Sequence, residues 1–253
     1  MRAVYAVTGA DRIGFLQGLL SNDILPLGGD GDGDGDGDGI AYAALLTPQG
    51  KYLADMFVLT QSGKMYLDIA AALAPATVQR LLMYRLRADV QIAPADIAVT
   101  RGLGDAPAGA MPDPRHPALG WRLYGAAIGS TPPVDWDALR VLHIIPESGI
   151  ELIPNDSYIL EMGLDRLNGV SFRKGCYVGQ EVTARMRHKT ELKKGLVRVA
   201  IDGAAPIGTP VMAGDRVAGT LFTQSGGFAL AHLRFDWAQG DMQAGDARLH
   251  MLD

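Results

Sequence analysis

Lys174-Gly175-Cys176-Tyr177-Val178-Gly179-Gln180-Glu181 holds the one cysteine of a 253-residue chain, set between two glycines, beside Arg173 and Lys174, with a carboxylate five residues after the thiol. A thiol acts as nucleophile or metal ligand in its thiolate form, and neighbouring cations favour that form. Glycines 175 and 179 permit positive backbone dihedrals or close approach of another group to the main chain, so amides here can face a ligand. The competing reading is a turn around a buried structural cysteine, the common fate of a lone cysteine.

Outward from this octapeptide, residues 173–194 carry seven basic side chains (Arg173, Lys174, Arg185, Arg187, Lys189, Lys193, Lys194) against Glu181 and Glu191. The formal net charge is −5, but five of the 28 acidic residues, Asp30, Asp32, Asp34, Asp36 and Asp38, sit in one Gly-Asp run; without them 23 acidic residues balance 23 basic ones. A local basic excess attracts anionic ligands or partners, although a solvated basic face has the same composition. Too few aromatics interleave with it for single-stranded nucleic acid, so no direct nucleic-acid partner is expected.

The length suffices for two domains or three small ones, and 48% hydrophobic with 20% charged residues describes a soluble globular protein. A single cysteine precludes an intrachain disulfide and favours a reducing compartment. The N-terminus lacks a long apolar stretch and no uncharged run reaches membrane-spanning length, so a cytoplasmic protein without membrane contact is expected. His116, His143, His188, His232 and His250 are dispersed, which gives no ligand spacing for zinc. One thiolate offers an iron-sulfur cluster a single ligand, so a partner would have to complete such a site. No phosphate loop or dinucleotide fingerprint is present, and a Cys176/His188 hydrolase has no matching signature.

Along the chain, Asp11 to Leu20 has helical spacing through Ile13, Leu16 and Leu20. The Gly29 to Gly39 repeat reads as a mobile loop; an EF-hand is excluded because the twelfth position is Ala41 or Ala43, not Glu. Ile40 to Thr47, Lys51 to Thr60 and Lys64 to Ala70 predict a three-stranded meander. In its middle strand Asp55 is a lone carboxylate on a face with Leu53, Phe57 and Leu59, so it either answers a buried partner or points into a ligand pocket. Pro75 to Asp89 predicts a second helix, residues 102–117 a connector without elements, and Asn155 to Asn168 a capped helix that encloses Glu161. From Gly195 onward five short β-like runs predict a small antiparallel barrel. The expected boundary lies near Lys194, with a region 1–194 and a barrel 195–253.

The octapeptide resembles the signature of the YgfZ/GcvT-like folate-binding family. Further segments agree in order: Gly9-Ala10-Asp11-Arg12 through Phe15-Leu16-Gln17-Gly18-Leu19, Ser21-Asn22-Asp23-Ile24, Leu46-Thr47-Pro48-Gln49-Gly50-Lys51, and Val170-Ser171-Phe172. The resemblance implies an α+β, partly ferredoxin-like, aminomethyltransferase-like fold followed by a C-terminal antiparallel β-barrel, with tetrahydrofolate or a derivative as cofactor. It implies an accessory function in assembly or repair of iron-sulfur proteins, including radical SAM enzymes that modify tRNA, with iron-sulfur carriers or target proteins as partners. The location implied is cytoplasmic, or the mitochondrial matrix in a eukaryote. By position, Cys176 is the reactive thiol or transient ligand, and Lys174 and Asp55 are candidates for catalysis beside it. Tyr177, Gly179, Gln180, Glu181 and Arg185 shape the site as candidate cofactor contacts, and Glu161 corresponds to the carboxylate that holds the pterin ring in the transferase. One departure bears on activity: where the transferase has paired aspartates, this chain reads Ala54-Asp55, which points away from aminomethyl transfer. Two alternatives remain at this point, a folate-dependent one-carbon transferase and a non-catalytic docking protein for an acidic cluster carrier.

Overall fold

A computed structural model of the chain describes residues 1–28, 38–126, 132–189 and 191–252. Most of the Gly-Asp run read above as a mobile loop, residues 29–37, lies outside the described residues. The chain divides into two compact units, Met1–Val134 with Leu164–Ala184, and Asp135–Gly163 with Arg185–Asp253.

The first unit begins with β1 (Arg2–Thr8), α1 (Arg12–Gln17), β2 (Gly39–Leu46), β3 (Tyr52–Gln61), β4 (Lys64–Ala70), α2 (Ala74–Tyr84) and β5 (Gln91–Ala95). The strands form one antiparallel sheet in the order β2-β3-β4-β1-β5. Strands β5-β1-β4-β3 with the two helices form a ferredoxin-like arrangement, extended at one edge by β2. The expected meander is β2-β3-β4. Strands β1 and β5 were not expected; β5 is an edge strand, and only an edge tolerates a residue such as Pro94, which lacks a ladder donor. Leu16, Leu19, Leu20, Ala74 and Leu81 from α1, α2 and their flanks bury against Val7, Leu45, Met56, Val58, Leu67 and Ile69 of the sheet. Burying each such large aliphatic side chain contributes about 1.5–3 kcal/mol. Helix α2 stops at Tyr84, five residues short of its expected end, and Leu86 then takes a left-handed backbone with φ +43°.

Residues 98–125 supply a second sheet to this unit, β6 (Ala98–Gly102), β7 (Met111–Pro112) and β8 (Trp121–Gly125), in the order β6-β8-β7. The connector expected at 102–117 therefore holds the end of β6 and all of β7. This sheet brings charges to a buried lattice. Asp68 accepts from Arg2 Nε (2.6 Å), Arg122 Nη2 (2.7 Å) and the Tyr124 hydroxyl (2.8 Å). Asp113 accepts from Arg115 Nε (3.0 Å) and Nη2 (2.8 Å). The Arg122 guanidinium lies 3.9 Å from the Phe57 ring centroid, and Arg115 lies 5.0 Å from it. Burial raises the Asp113 pKa, but the hydrogen bond and charge of Arg115, with Arg122, outweigh it and hold the carboxyl below its usual range. Removing one member of such a lattice costs about 3–5 kcal/mol, because its partners stay buried without a counter-charge.

Helix α3 (Trp136–His143) lies in the second unit, and α4 (Gln180–Lys189) carries residues of both. Strands β9 (Lys194–Asp202), β10 (Pro210–Ala213), β11 (Arg216–Ser225), β12 (Phe228–Arg234), β13 (Met242–Ala244) and β14 (Ala247–Met251) close an antiparallel barrel in the order β10-β11-β12-β9-β14-β13. Its core includes Val199, Val211, Leu221, Ala231, Leu233 and Leu249. Glu151, fully buried, ties the segment before the barrel to β11: its carboxylate accepts from Thr223 Oγ1 (2.5 Å), from Glu147 N (2.8 Å) and from Arg140 Nη2.

The helix expected at Asn155 to Asn168 is not formed; the segment is a run of turns. Asn155, Gly163 and Asn168 have φ of +64°, +72° and +54°, and a right-handed helix cannot pass through such residues. The apolar spacing that predicts a helix instead buries Ile159, Leu160, Met162, Leu164 and Leu167 from successive turns.

Candidate functional site

The octapeptide is a loop pinned at both ends. Lys174 is 8% exposed, and its ammonium donates to three main-chain carbonyls, Gln17 O (2.7 Å), Leu20 O (2.5 Å) and Asn22 O (2.9 Å). Two of these lie at and just beyond the C-terminal end of α1, where helix carbonyls lack intrahelical donors. A cation is favoured there by the helix dipole. Burial pushes the Lys174 pKa down to about 8, with Asp23 pulling it upward. Its Nζ also sits 5.1 Å from the centroid of the buried Tyr177 ring. Burial raises the Tyr177 pKa, and a hydrogen bond with Thr183 opposes that shift.

At the far end Gly179 has φ +85°, and a Cβ there would lie 2.6 Å from Thr47 O and 2.9 Å from Leu46 Cβ. Gly50, with φ +76°, makes the reciprocal approach, its absent Cβ 2.8 Å from Val182 Cβ. Helix α4 then begins at Gln180, and Thr183 Oγ1 bonds back to Gly179 O (3.3 Å). Between these anchors Gly175 has no neighbour within 4 Å of a built Cβ, and Cys176 is exposed. Glu181 and Arg185 are exposed one helical turn apart on α4.

The remaining motif segments are the struts of this loop. Ser171 Oγ accepts from Lys174 N (3.2 Å), and Ser171 N donates to Ser21 O (3.0 Å). Ser21 Oγ donates to Gly169 O (2.6 Å) and accepts from Ala44 N (2.8 Å). Asn22 Nδ2 donates to Tyr42 O (2.9 Å) and Asn168 O (2.8 Å). Thus residues 17–22, 46–50, 168–171 and 174–183, distant in sequence, meet in the support of the loop that carries Cys176. Sequence reasoning matched these segments without a reason for their co-occurrence; the hydrogen bonds supply it.

Asp55 is elsewhere in its surroundings: 3% exposed, with Oδ2 accepting from the Tyr42 hydroxyl (3.0 Å) and Oδ1 from the Tyr52 hydroxyl (2.5 Å). Burial, then the charge of Asp55, pushes the Tyr42 phenol pKa well up, so that phenol stays a proton donor. Of the two readings open for Asp55, the geometry is that of a residue with buried partners, which include the Tyr42 and Tyr52 hydroxyls.

Glu161 belongs to the second unit, on the run of turns. Its main-chain oxygen accepts from Leu196 N of β9 (2.7 Å), and its Oε2 lies 3.0 Å from His232 Nε2 of β12. Sequence reasoning noted His232 only as one of five scattered histidines. Its alternation within β12 is the signal that could have set it on one face with Leu230, but nothing in the sequence paired it with Glu161.

Comparison with known proteins adds lineage to this geometry. Residues 193–252 match the family described as CAF17, C-terminal beta-barrel domain. The chain is 33% identical over 221 residues to the mitochondrial iron-sulfur cluster assembly factor IBA57 homolog of Mycosarcoma maydis, covering 78% of this chain and 54% of the relative. To the mitochondrial iron-sulfur cluster assembly factor IBA57 of Mus musculus it is 30% identical over 278 residues, covering 95% of this chain and 78% of the relative. The human protein of that name is 30% identical with the same coverage. The chain thus spans about half the length of the fungal relative and more than three quarters of the mammalian ones. Among solved structures, the glycine cleavage system aminomethyltransferase T from Bartonella henselae aligns with a TM-score of 0.69 over 99% of this chain and 83% of that one, at 14% identity. The aminomethyltransferase-like α+β fold with a C-terminal barrel, expected from the resemblance, is the fold observed.

Proposed function

Because this chain belongs to the IBA57 family of iron-sulfur cluster assembly factors, we propose that it is an accessory protein for assembly or repair of iron-sulfur clusters in target enzymes, with Cys176 as its working thiol. One observation carries the reading: the only thiol of the chain is exposed beside Gly175, between the buried side chains of Lys174 and Tyr177, on a segment anchored by Lys174 and Gly179. Soft thiolate is the preferred protein ligand for iron-sulfur clusters. A single thiolate takes one iron position of the cargo and leaves the others to a carrier or target protein, so the cluster is held jointly and released without dismantling a complete protein site. The partners are accordingly carrier and target proteins of the assembly machinery, in the compartment where clusters are built, which for the named relatives is the mitochondrion.

Tetrahydrofolate or a derivative is the small molecule we assign to the second unit. Glu161 fits that role: its carboxylate is partly accessible and accepts hydrogen bonds only, which suits the adjacent N–H donors of a pterin ring. Bound folate would supply a one-carbon carrier. Asp55 does not fit the part of a base beside it, since both of its oxygens are engaged by buried tyrosines, and this weighs against the transferase alternative.

The test is genetic. In cells lacking the gene, the unaltered protein should restore the activity of [4Fe-4S] enzymes under oxidative stress, and Cys176→Ser, present at the same level, should not. Full restoration by Cys176→Ser would remove the thiol from the function.

A further inference from the structure

Glu161 is gripped by one rung of the barrel. In the ladder between β9 and β12, Leu196 stands opposite His232. Leu196 donates its main-chain N–H to Glu161 O, and His232 reaches the carboxylate of the same residue. Main chain and side chain of Glu161 are therefore fixed to two directly paired residues. Two glycines make this fit. A Cβ on Gly195 would lie 2.9 Å from Phe235 Cζ and 3.5 Å from Glu161 O; a Cβ on Gly219 of β11 would lie 2.0 Å from His232 O.

The pair is neither sealed nor free: the side chains of His232 and Glu161 are 22% and 17% exposed. A carboxylate is an acceptor only, so the His232 nitrogen facing Oε2 carries the proton and donates it. An ionised carboxylate has about four lone-pair sites. His232 uses one, which sets the plane of the group and leaves the other sites on a partly open face. Among the described residues no other side chain makes a hydrogen bond to the Glu161 carboxylate.

We propose that His232 is the positioning residue for Glu161, fixing the carboxylate plane that receives the paired N–H donors of a reduced pterin. The inference rests on the pterin reading of Glu161 given above. A carboxylate on a run of turns has rotamer freedom that binding would have to remove; the imidazole removes it in advance, the usual route by which preorganisation raises affinity. Recognition specificity follows, because a fixed plane accepts two adjacent donors of a planar ring and disfavours ligands that present one donor.

The test is equilibrium titration of the full chain with 5-formyltetrahydrofolate. The variants are Glu161→Ala, His232→Ala, His232→Gln and the Glu161→Ala/His232→Ala pair, with thermal unfolding of each as a control for folding. Loss of a charge-assisted hydrogen bond predicts roughly ten-fold weaker binding for His232→Ala. His232→Gln, which keeps an N–H donor, should recover most of that loss. The double variant should bind no more weakly than Glu161→Ala alone, since His232 acts through Glu161. Wild-type affinity in His232→Ala beside lost affinity in Glu161→Ala overturns the role of His232 and leaves the pterin reading intact. Additive losses in the double variant likewise overturn it, because His232 would then act independently. No binding by the unaltered protein, or unchanged binding by Glu161→Ala, overturns the pterin reading and this inference with it. If His232→Ala fails to fold, His232→Gln against Glu161→Gln decides by the same criteria.

Discussion

Lys174 places three ammonium hydrogens against three carbonyl oxygens. Lys174→Met leaves those oxygens facing an apolar chain, and one buried acceptor without a donor costs about 1–3 kcal/mol. Urea unfolding near neutral pH should show a loss of about 3 kcal/mol; an unchanged midpoint would mean the carbonyls find water at no cost. The lowered pKa gives this prediction a pH signature. The folded chain releases the Lys174 proton near pH 8, whereas the unfolded chain keeps it to about 10.5. Between those values the unfolded state binds more protons, so stability rises with pH. The gap between the unaltered protein and Lys174→Met should be level below pH 8 and widen from there to 10.5. Sequence order puts this cation beside the thiol and suggests an electrostatic activator. Its side chain instead runs to carbonyls more than 150 positions away, a direction that no local pattern encodes. The unusual setting of Cys176 was legible; the job of its neighbour was not.

The loop is an element without regular secondary structure, and its two glycines have opposite duties. Gly179 combines φ +85° with a carbonyl oxygen 2.6 Å from where a Cβ would stand, while Gly175 has open space and an ordinary backbone. Gly179→Ala should therefore destabilise by about 1–3 kcal/mol from backbone strain alone. Gly175→Ala should stay within about 0.5 kcal/mol, as surface substitutions do. Paired urea titrations check both, and equal effects would contradict the two-anchor description. The octapeptide shows that glycine matters here, but only the turn around Thr47 says which one. The misread helix before it has a similar cause. Spacing of Ile159, Met162 and Leu167 reports burial, and burial is shared by helices and by stacked turns; the left-handed Gly163 inside the segment decides between them. Glycine adopts that backbone without steric cost, so a signal was present, though weaker than the apolar pattern.

For the whole molecule, the meander and most barrel strands were legible because alternation and turn residues are local. The lattice of Arg2, Asp68, Asp113, Arg115 and Arg122 was not, since its members are scattered from residue 2 to residue 122 and each alone looks like a surface charge. The same distance effect hid the struts at Ser21 and Asn22, which tie β2 and the segment 168–169 to one another beneath the loop that carries Cys176. Several sequence segments hold the loop that carries a single exposed thiol, and the proposed role of that thiol in handing cargo over is the central claim. Its most direct test uses purified protein, a cluster-loaded carrier and an apo [4Fe-4S] enzyme, with the reactivation rate of the enzyme as readout. The unaltered protein should accelerate reactivation and Cys176→Ser, folded to the same thermal midpoint, should leave it at the carrier-only rate. Equal acceleration by both proteins would contradict the claim.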